Sequence, residues 1–462
     1  MFVTVKKIAL FLGVFSAAAL VLSCPVLAAA EGLSVQESIQ RAVDTNPEAQ
    51  AKLHAFRASL RDWQAAFGGY RPKLDAYAGI GRENLDGEGY NGSDLFDYTR
   101  DGASLILTQP IYDGNLTRSQ VRRYEYAKNM RYFDLSAKLE EVAYAGFRCH
   151  QDVIRYRKAV AMARNNVARH EELLAKVKKR AIAGVDSKVN LETAMGRLAL
   201  AKVNCLTEES NLHDTITQYV RVTGTEPAEQ MEEAVIEVTL PEQPEACVTE
   251  ALTGNPQVAS YKENTNSMRH AIQEQASRMR PKLDFRAGVN LDHDTDGNKG
   301  RRDKSWVELM FRYNLYNGGI DKANIKKSEE QYQESEEVFK KIERDVRQAV
   351  LIAYNDVKNI ELQIPNLEEH KKAAQVMRTA YVKQFEAGRR TLLDVLDAEN
   401  ESFQSELAYV NALYNLSSMK ADYLTSVGRL LSYYDIKKVE MPEPQKAGID
   451  MDRIVRELGN KD

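Results

Sequence analysis

Apolar and polar side chains alternate along two stretches near the middle of the chain. Leu283, Phe285, Ala287, Val289 and Leu291 fall on one face, and Lys282, Asp284, Arg286, Gly288 and Asn290 on the other. Val307, Leu309, Phe311, Tyr313 and Leu315 alternate in the same way with Glu308, Met310, Arg312 and Asn314. A period of two predicts strands with one apolar side. Leu74, Ala76, Ala78 and Ile80 repeat the pattern earlier in the chain. Ala103, Leu105 and Leu107 are a weaker match, because Ile106 breaks the alternation. Four strands of about ten residues, apolar on one face, have the length and pattern of transmembrane barrel strands.

The other pattern is helical and long. From Ser119 to Ile182 there is no proline and only one glycine, Gly146. A helix over that span would run about 95 Å. Leu392, Leu396, Phe403, Leu407, Val410, Tyr414, Ala421 and Leu424 recur at steps of three, four and seven, which is the seam of a supercoiled helix pair. Pro365 lies inside the second long helical stretch and predicts a kink there.

The chain is written twice. Asn46-Pro47 recurs as Asn255-Pro256, and Arg71-Pro72-Lys73-Leu74-Asp75 recurs letter for letter as Arg280-Pro281-Lys282-Leu283-Asp284. Ile111-Tyr112-Asp113-Gly114 answers Leu315-Tyr316-Asn317-Gly318, Ala183-Gly184 answers Ala387-Gly388, and Tyr219 and Gly224 answer Tyr423 and Gly428. The offset shortens by five across residues 82–101 and 290–303, which predicts loops there. Each half then reads as a helical stretch (33–67 and 245–278), two strands, a long helix, a glycine turn and a second long helix. The expected divisions are a first repeat at 31–224, a linker at 225–244, a second repeat at 245–434 and a polar tail at 435–462.

The N-terminus reads as an export signal. Lys6 and Lys7 precede an apolar run from Ile8 to Leu22, and Ala28-Ala29-Ala30 supplies small residues for cleavage, giving a signal peptide at 1–30. Val21-Leu22-Ser23-Cys24 loosely resembles a lipoprotein box, but Leu before Ser and Pro after Cys fit it poorly, and ordinary cleavage is favoured. No later apolar run reaches the ~20 residues of a membrane helix. Removing Lys6 and Lys7 from the 63 basic residues leaves 61 against 67 acidic, which is not the basic balance of a nucleic-acid binder. Cys149, Cys205 and Cys247 are too few and too scattered for a disulfide framework. Cys149 and Cys205 stand about 20 Å out of register in a hairpin turning near Gly184, beyond disulfide reach. The seven histidines show no metal-ligand spacing, and no cofactor, metal or catalytic set is expected. Asp292-His293-Asp294-Thr295-Asp296-Gly297, with Asn298 and Asp303, mimics a calcium loop. Lys299, Arg301 and Arg302 oppose a cation, and a polar hairpin loop is the other reading.

Three motifs carry a resemblance to a known family. Ala-x-x-x-Asn-Pro stands at Ala42–Pro47 and Ala251–Pro256. Thr108-Gln109-Pro110-Ile111-Tyr112-Asp113-Gly114 looks like the family's strand-to-helix junction. Residues Ala387 to Ala398, reading AGRRTLLDVLDA, look like its periplasmic-end motif. Along nearly all of its length after residue 30 the chain resembles the TolC family of outer-membrane efflux and secretion ducts.

The resemblance implies a mostly α protein with a membrane β part, located in the outer membrane with its helices in the periplasm. It implies a homotrimer that closes a 12-stranded barrel over an α-helical tunnel and serves type I secretion or multidrug efflux. The implied partners are a periplasmic adaptor, an inner-membrane transporter and outer-membrane lipid. Closure physics agrees, since four strands cannot make a barrel and open edges are not tolerated in lipid. At the periplasmic end the resemblance makes Asp394, Asp397, Arg390 and Phe385 a gate, and Gly184, Val185, Gly388 and Arg389 the tips on which the adaptor docks. Asp394 and Asp397 lie three apart on one helix face, where a solvated face is the bland reading. In a trimer they would form two carboxylate rings, and crowded like charges raise one another's pKa and titrate together. The first repeat departs from the motif, with Asn190 opposite Asp394 and Thr193 opposite Asp397, so a first-repeat partner for Arg390 is in doubt and Glu192 or Asp186 are the alternatives. A periplasmic adaptor or coiled-coil scaffold without a pore is the rival reading.

Overall fold

A computed structural model of the chain describes residues 32–84 and 97–436. The expected signal peptide, Cys24, the middle of the first predicted loop and the tail from 437 lie outside the described residues. Within them the order is α1 (Val35–Thr45), α2 (Pro47–Ala66), β1 (Lys73–Asn84), β2 (Asp97–Tyr112), α3 (Leu116–Ile182) and α4 (Lys188–Thr223). It continues with α5 (Pro244–Gly254), α6 (Pro256–Ser277), β3 (Lys282–Thr295), β4 (Asn298–Arg312), α7 (Ile320–Glu386), α8 (Leu392–Ser426) and α9 (Leu430–Tyr433).

Each stretch expected as one opening helix is two. The break falls at Asn46-Pro47 and again at Asn255-Pro256. The asparagine side chain accepts from the backbone N–H groups of residues 48 and 49, or 257 and 258, and proline takes the first helical position. An asparagine cap followed by proline starts a new helix and cannot continue an old one.

The long helices α3 and α7 each contain 67 residues, about 100 Å of rod. Pro365 is carried inside α7, which runs on to Glu386 without ending. Proline leaves the carbonyl one turn back without its usual donor. Beside it the Asn366 amide donates to the Leu362 carbonyl at 3.0 Å. Cys149, Cys205 and Cys247 are free thiols, and burial pushes the Cys149 thiol up to about 11.

The four strands form one antiparallel sheet in the order β1-β2-β3-β4. They reach into the segments expected as loops. β3 and β4 are joined at Asp296-Gly297, so most of 290–303 is strand, and β1 and β2 enter 82–101 from both sides. The hydrophobic alternation fades there but the ladder does not, because backbone pairing does not need apolar side chains. Rows across the sheet, such as Leu74, Leu107, Ala287 and Val307, place the alternating apolar residues on a single face. That face is bare, with Ile80 79% and Val307 69% exposed. On the other face charges pair across strands, Arg286 with Glu308 at 3.1 Å and Arg312 with Asp284 at 2.6 Å. There the Trp306 indole packs against Gly288 of β3, where a Cβ would come to 2.6 Å of the ring.

Between the sheet and the helix tips lies the main core. One cluster joins Ile39, Val43, Phe56, Leu135, Phe147 and Tyr219 to Ala421, Leu430 and Leu431, and so draws on both halves of the chain. A second packs Cys247, Val258, Val350, Val357 and Tyr423. The segment between α4 and α5 lies along both, with Ile236 in the first and Leu240 in the second. Side chains of α3 hold its backbone. His150 Nε2 donates to the Glu232 carbonyl, Gln151 to Ala234, and Arg157 to Ala228 and Glu229, each at 2.7–2.8 Å. His150 Nδ1 faces the Ser38 hydroxyl at 2.8 Å in a fully buried site, and that burial lowers its pKa.

Candidate functional site at the helix tips

Far from the sheet, two helix hairpins end side by side. α3 turns into α4 through Ala183-Gly184, and α7 into α8 through Ala387-Gly388. Both glycines are left-handed, with φ of 73° and 71°, a conformation that other residues adopt only under strain. The Val185 amide donates to the Arg180 carbonyl at 2.9 Å, and the Arg389 amide to the Gln384 carbonyl at 2.8 Å, so each turn closes its own helix end. Gly184, Val185, Gly388 and Arg389 are all exposed, and nothing within the protomer covers them.

The helices beyond the turns are capped differently. Thr391 and Asp394 form a reciprocal capping box on α8, with Asp394 accepting from the Thr391 hydroxyl at 2.8 Å and from its amide at 3.2 Å. Asn190 stands at the matching place in α4, so Ser187 caps that helix alone and Asn190 turns to Asp186. The Thr391 bonds, with Arg390 at 3.7 Å, hold the Asp394 carboxyl below its usual range. Within one protomer this is the reverse of the upward shift expected from crowded carboxylates, because the cap donors lie closer than any like charge.

Arg390 packs over the Tyr381 ring at 4.2 Å and donates to Gln384 at 3.0 Å. Its contacts in the protomer therefore lie in its own hairpin. Asp186, one alternative partner, is taken by Arg180 at 3.3 Å. Phe385 is 4% exposed, inside a cluster of Leu173, Val177, Ala194, Leu392, Val395 and Leu396 that binds the two hairpins together. Arg180 lies over its ring at 4.7 Å and donates to its carbonyl. Phe385 thus holds the tips from within the apolar contact rather than standing on an open face.

The structure also joins residues that local sequence could not connect. Arg197 of α4 donates to Asp397 of α8 at 3.0 Å. Lys176 meets Glu386 at 2.6 Å and lowers its carboxyl pKa. Buried Glu399 has Arg169 at 3.7 Å and Arg378 at 3.6 Å. Three of these four links cross between the halves of the chain, which no local motif records.

At the sheet end, three carboxylates of the calcium-like segment already have partners. Asp294 accepts from the Gly300 amide, Asp303 pairs with Arg301 at 2.8 Å, and Asp296 lies 3.7 Å from Arg302. Among the described residues no group of three His, Cys, Asp or Glu is gathered to hold a metal. No helix of the described residues is long and apolar enough to cross a membrane.

The sequence profile of the outer membrane efflux protein family matches residues 247–427. The chain is 23% identical over 426 residues to the outer membrane efflux protein BepC of Brucella suis biovar 1, covering 90% of each chain. It is 24% identical over 422 residues to the outer membrane protein TolC of Escherichia coli, covering 86% of this chain and 82% of that one. Residues 247–427 carry that family's profile, and over most of its length the chain is similar to TolC-type outer-membrane efflux proteins. Its fold is that of the Campylobacter jejuni CmeC outer membrane channel, with a TM-score of 0.76 at 12% identity over 92% of this chain and 89% of that one. The matched family and these relatives are outer-membrane proteins by name.

Proposed function

We propose that three copies of the chain form one export duct and catalyse no reaction. Repeats 31–224 and 245–434 each give two strands and one long hairpin. Three copies supply twelve strands, an even number within the range of known barrels. The helices continue the tube through the periplasm, and a periplasmic adaptor with its inner-membrane transporter docks at Gly184, Val185, Gly388 and Arg389. Asp394 and Asp397, near Arg390, line the closed periplasmic end, while Phe385 holds the hairpins from inside. Substrates of type I secretion or of multidrug efflux leave by this route.

The observation that carries this reading is the sheet. Its apolar face is bare and its β1 and β4 edges are unpaired within the protomer. Lipid accepts the face, and it tolerates the edges only if neighbouring copies close them. A pore-free scaffold would give no reason for either feature. Purified protein is expected to require detergent, to run as a heat-labile trimer and to conduct ions across planar bilayers. A monomer that stays soluble without detergent would overturn the proposal.

A further inference from the structure

The two carboxylates of the gate are not equivalent. Asp394 caps its own helix through Oδ2. Asp397 points across to the other hairpin and meets Arg197 at 3.0 Å, with side chains 59% and 35% exposed. A guanidinium stays charged at every working pH. The group packed beside it adds no charge, because burial first, and Arg197 and Arg169 after it, push the His170 pKa down. Nearby, Glu399 pairs with Arg169 and Arg378, Glu386 with Lys176, Asp186 with Arg180, and Glu401 faces His370.

We propose that Arg197 sets the ion selectivity of the periplasmic constriction by cancelling the charge of Asp397. The inference rests on the gate reading above. In a trimer, three Arg197–Asp397 pairs replace a bare ring of three carboxylates. A bare ring attracts cations with a potential that adds over its members. A ring of pairs presents dipoles, whose field falls away within a few ångströms, since the two opposite Coulomb terms nearly cancel beyond the pair separation. The constriction is then carried toward neutrality, and Asp394, with Arg390 only at 3.7 Å, is left as the main cation-holding ring. Arg197 lies in the first repeat, and its counterpart 204 residues on is Glu401, so the compensation exists on one hairpin only.

The test is a cycle of channels in planar bilayers, reading the reversal potential in a KCl gradient and block by lanthanum added on the periplasmic side. Arg197→Ala should shift the channel toward cations and tighten the block roughly tenfold, the scale set by loss of a half-exposed ion pair in each of three subunits. Asp397→Ala should do the opposite, because it leaves three uncompensated guanidiniums. The double variant should return close to the starting selectivity, and Arg197→Lys should preserve it. Heat-labile trimers on gels check that each variant assembles. If Arg197→Ala changes neither selectivity nor block while Asp397→Ala weakens the block, Arg197 is only a structural tie and the proposal falls, with the gate intact. Raised resting conductance at unchanged selectivity overturns it in the same way. If neither single variant alters block or selectivity, the gate reading falls along with it.

Discussion

The two ends of this molecule are built inside out with respect to each other. At the sheet, Leu74, Ile80, Val307 and Leu309 face outward and the charged residues pair on the opposite side. At the tips, Phe385, Val395 and Leu396 are enclosed and the ion pairs stand around them. The same forces act at both ends, and the surroundings differ. Apolar side chains leave water wherever they can, into a neighbouring helix at one end and, in the proposed duct, into lipid at the other. A bare apolar face is thus informative about the medium, whereas a buried one reports only packing.

The contrast can be tested by damaging each end in turn. Phe385→Ala removes the largest side chain of the tip cluster, at a cost of about 3–5 kcal/mol. The hairpins should separate locally, and limited proteolysis should then cut at the Gly184 and Gly388 turns while the sheet end keeps its protection. In the proposed duct, Leu309→Arg puts a charge on the lipid side, at about 2–4 kcal/mol near mid-membrane. It should reduce trimer yield in membranes and leave the helical hairpins intact by hydrogen exchange. An equal effect on the tips would show that the ends are not independent.

Smallest is the cap. Thr391→Ala should cost about 1 kcal/mol in α8, whereas the simpler Ser187 cap of α4 is the internal control. Because the Asp394 pKa is lowered on folding, the α8 cap is at full strength above the ordinary carboxylate range. It is lost only as pH falls through that lowered value. Amide protection at the start of α8 should therefore fade in acid before protection at the start of α4, where the Ser187 hydroxyl does not titrate. Equal fading at the two helix starts would remove the cap from the account.

The legible parts of the sequence were those with a short period or an exact copy. Alternation at Leu283–Leu291 gave strands, the absence of breakers from Ser119 to Ile182 gave a rod, and Arg71–Asp75 against Arg280–Asp284 gave the duplication. Strand ends were missed where polar residues carry the ladder. Helical periodicity over 33–67 does not show the split at Asn46-Pro47, although an asparagine followed by proline is a helix start in its own right. The tip motif holds Asp394 together with its partners Thr391 and Arg390, but not the partner of Asp397. Arg197 and Asp397 are 200 residues apart, and only the packing of one hairpin on the other brings them together.

The segment between α4 and α5 has a mechanical consequence. It closes two cores at once through Ile236 and Leu240. It is held by His150, Gln151 and Arg157 from the first half, and by the hydroxyls of Tyr354 and Tyr433 from the second. A connection of this kind behaves less like a tether between two ancestral units than like a keystone. Neither repeat retains a complete interior without it, so the duplicated halves should melt in a single cooperative transition.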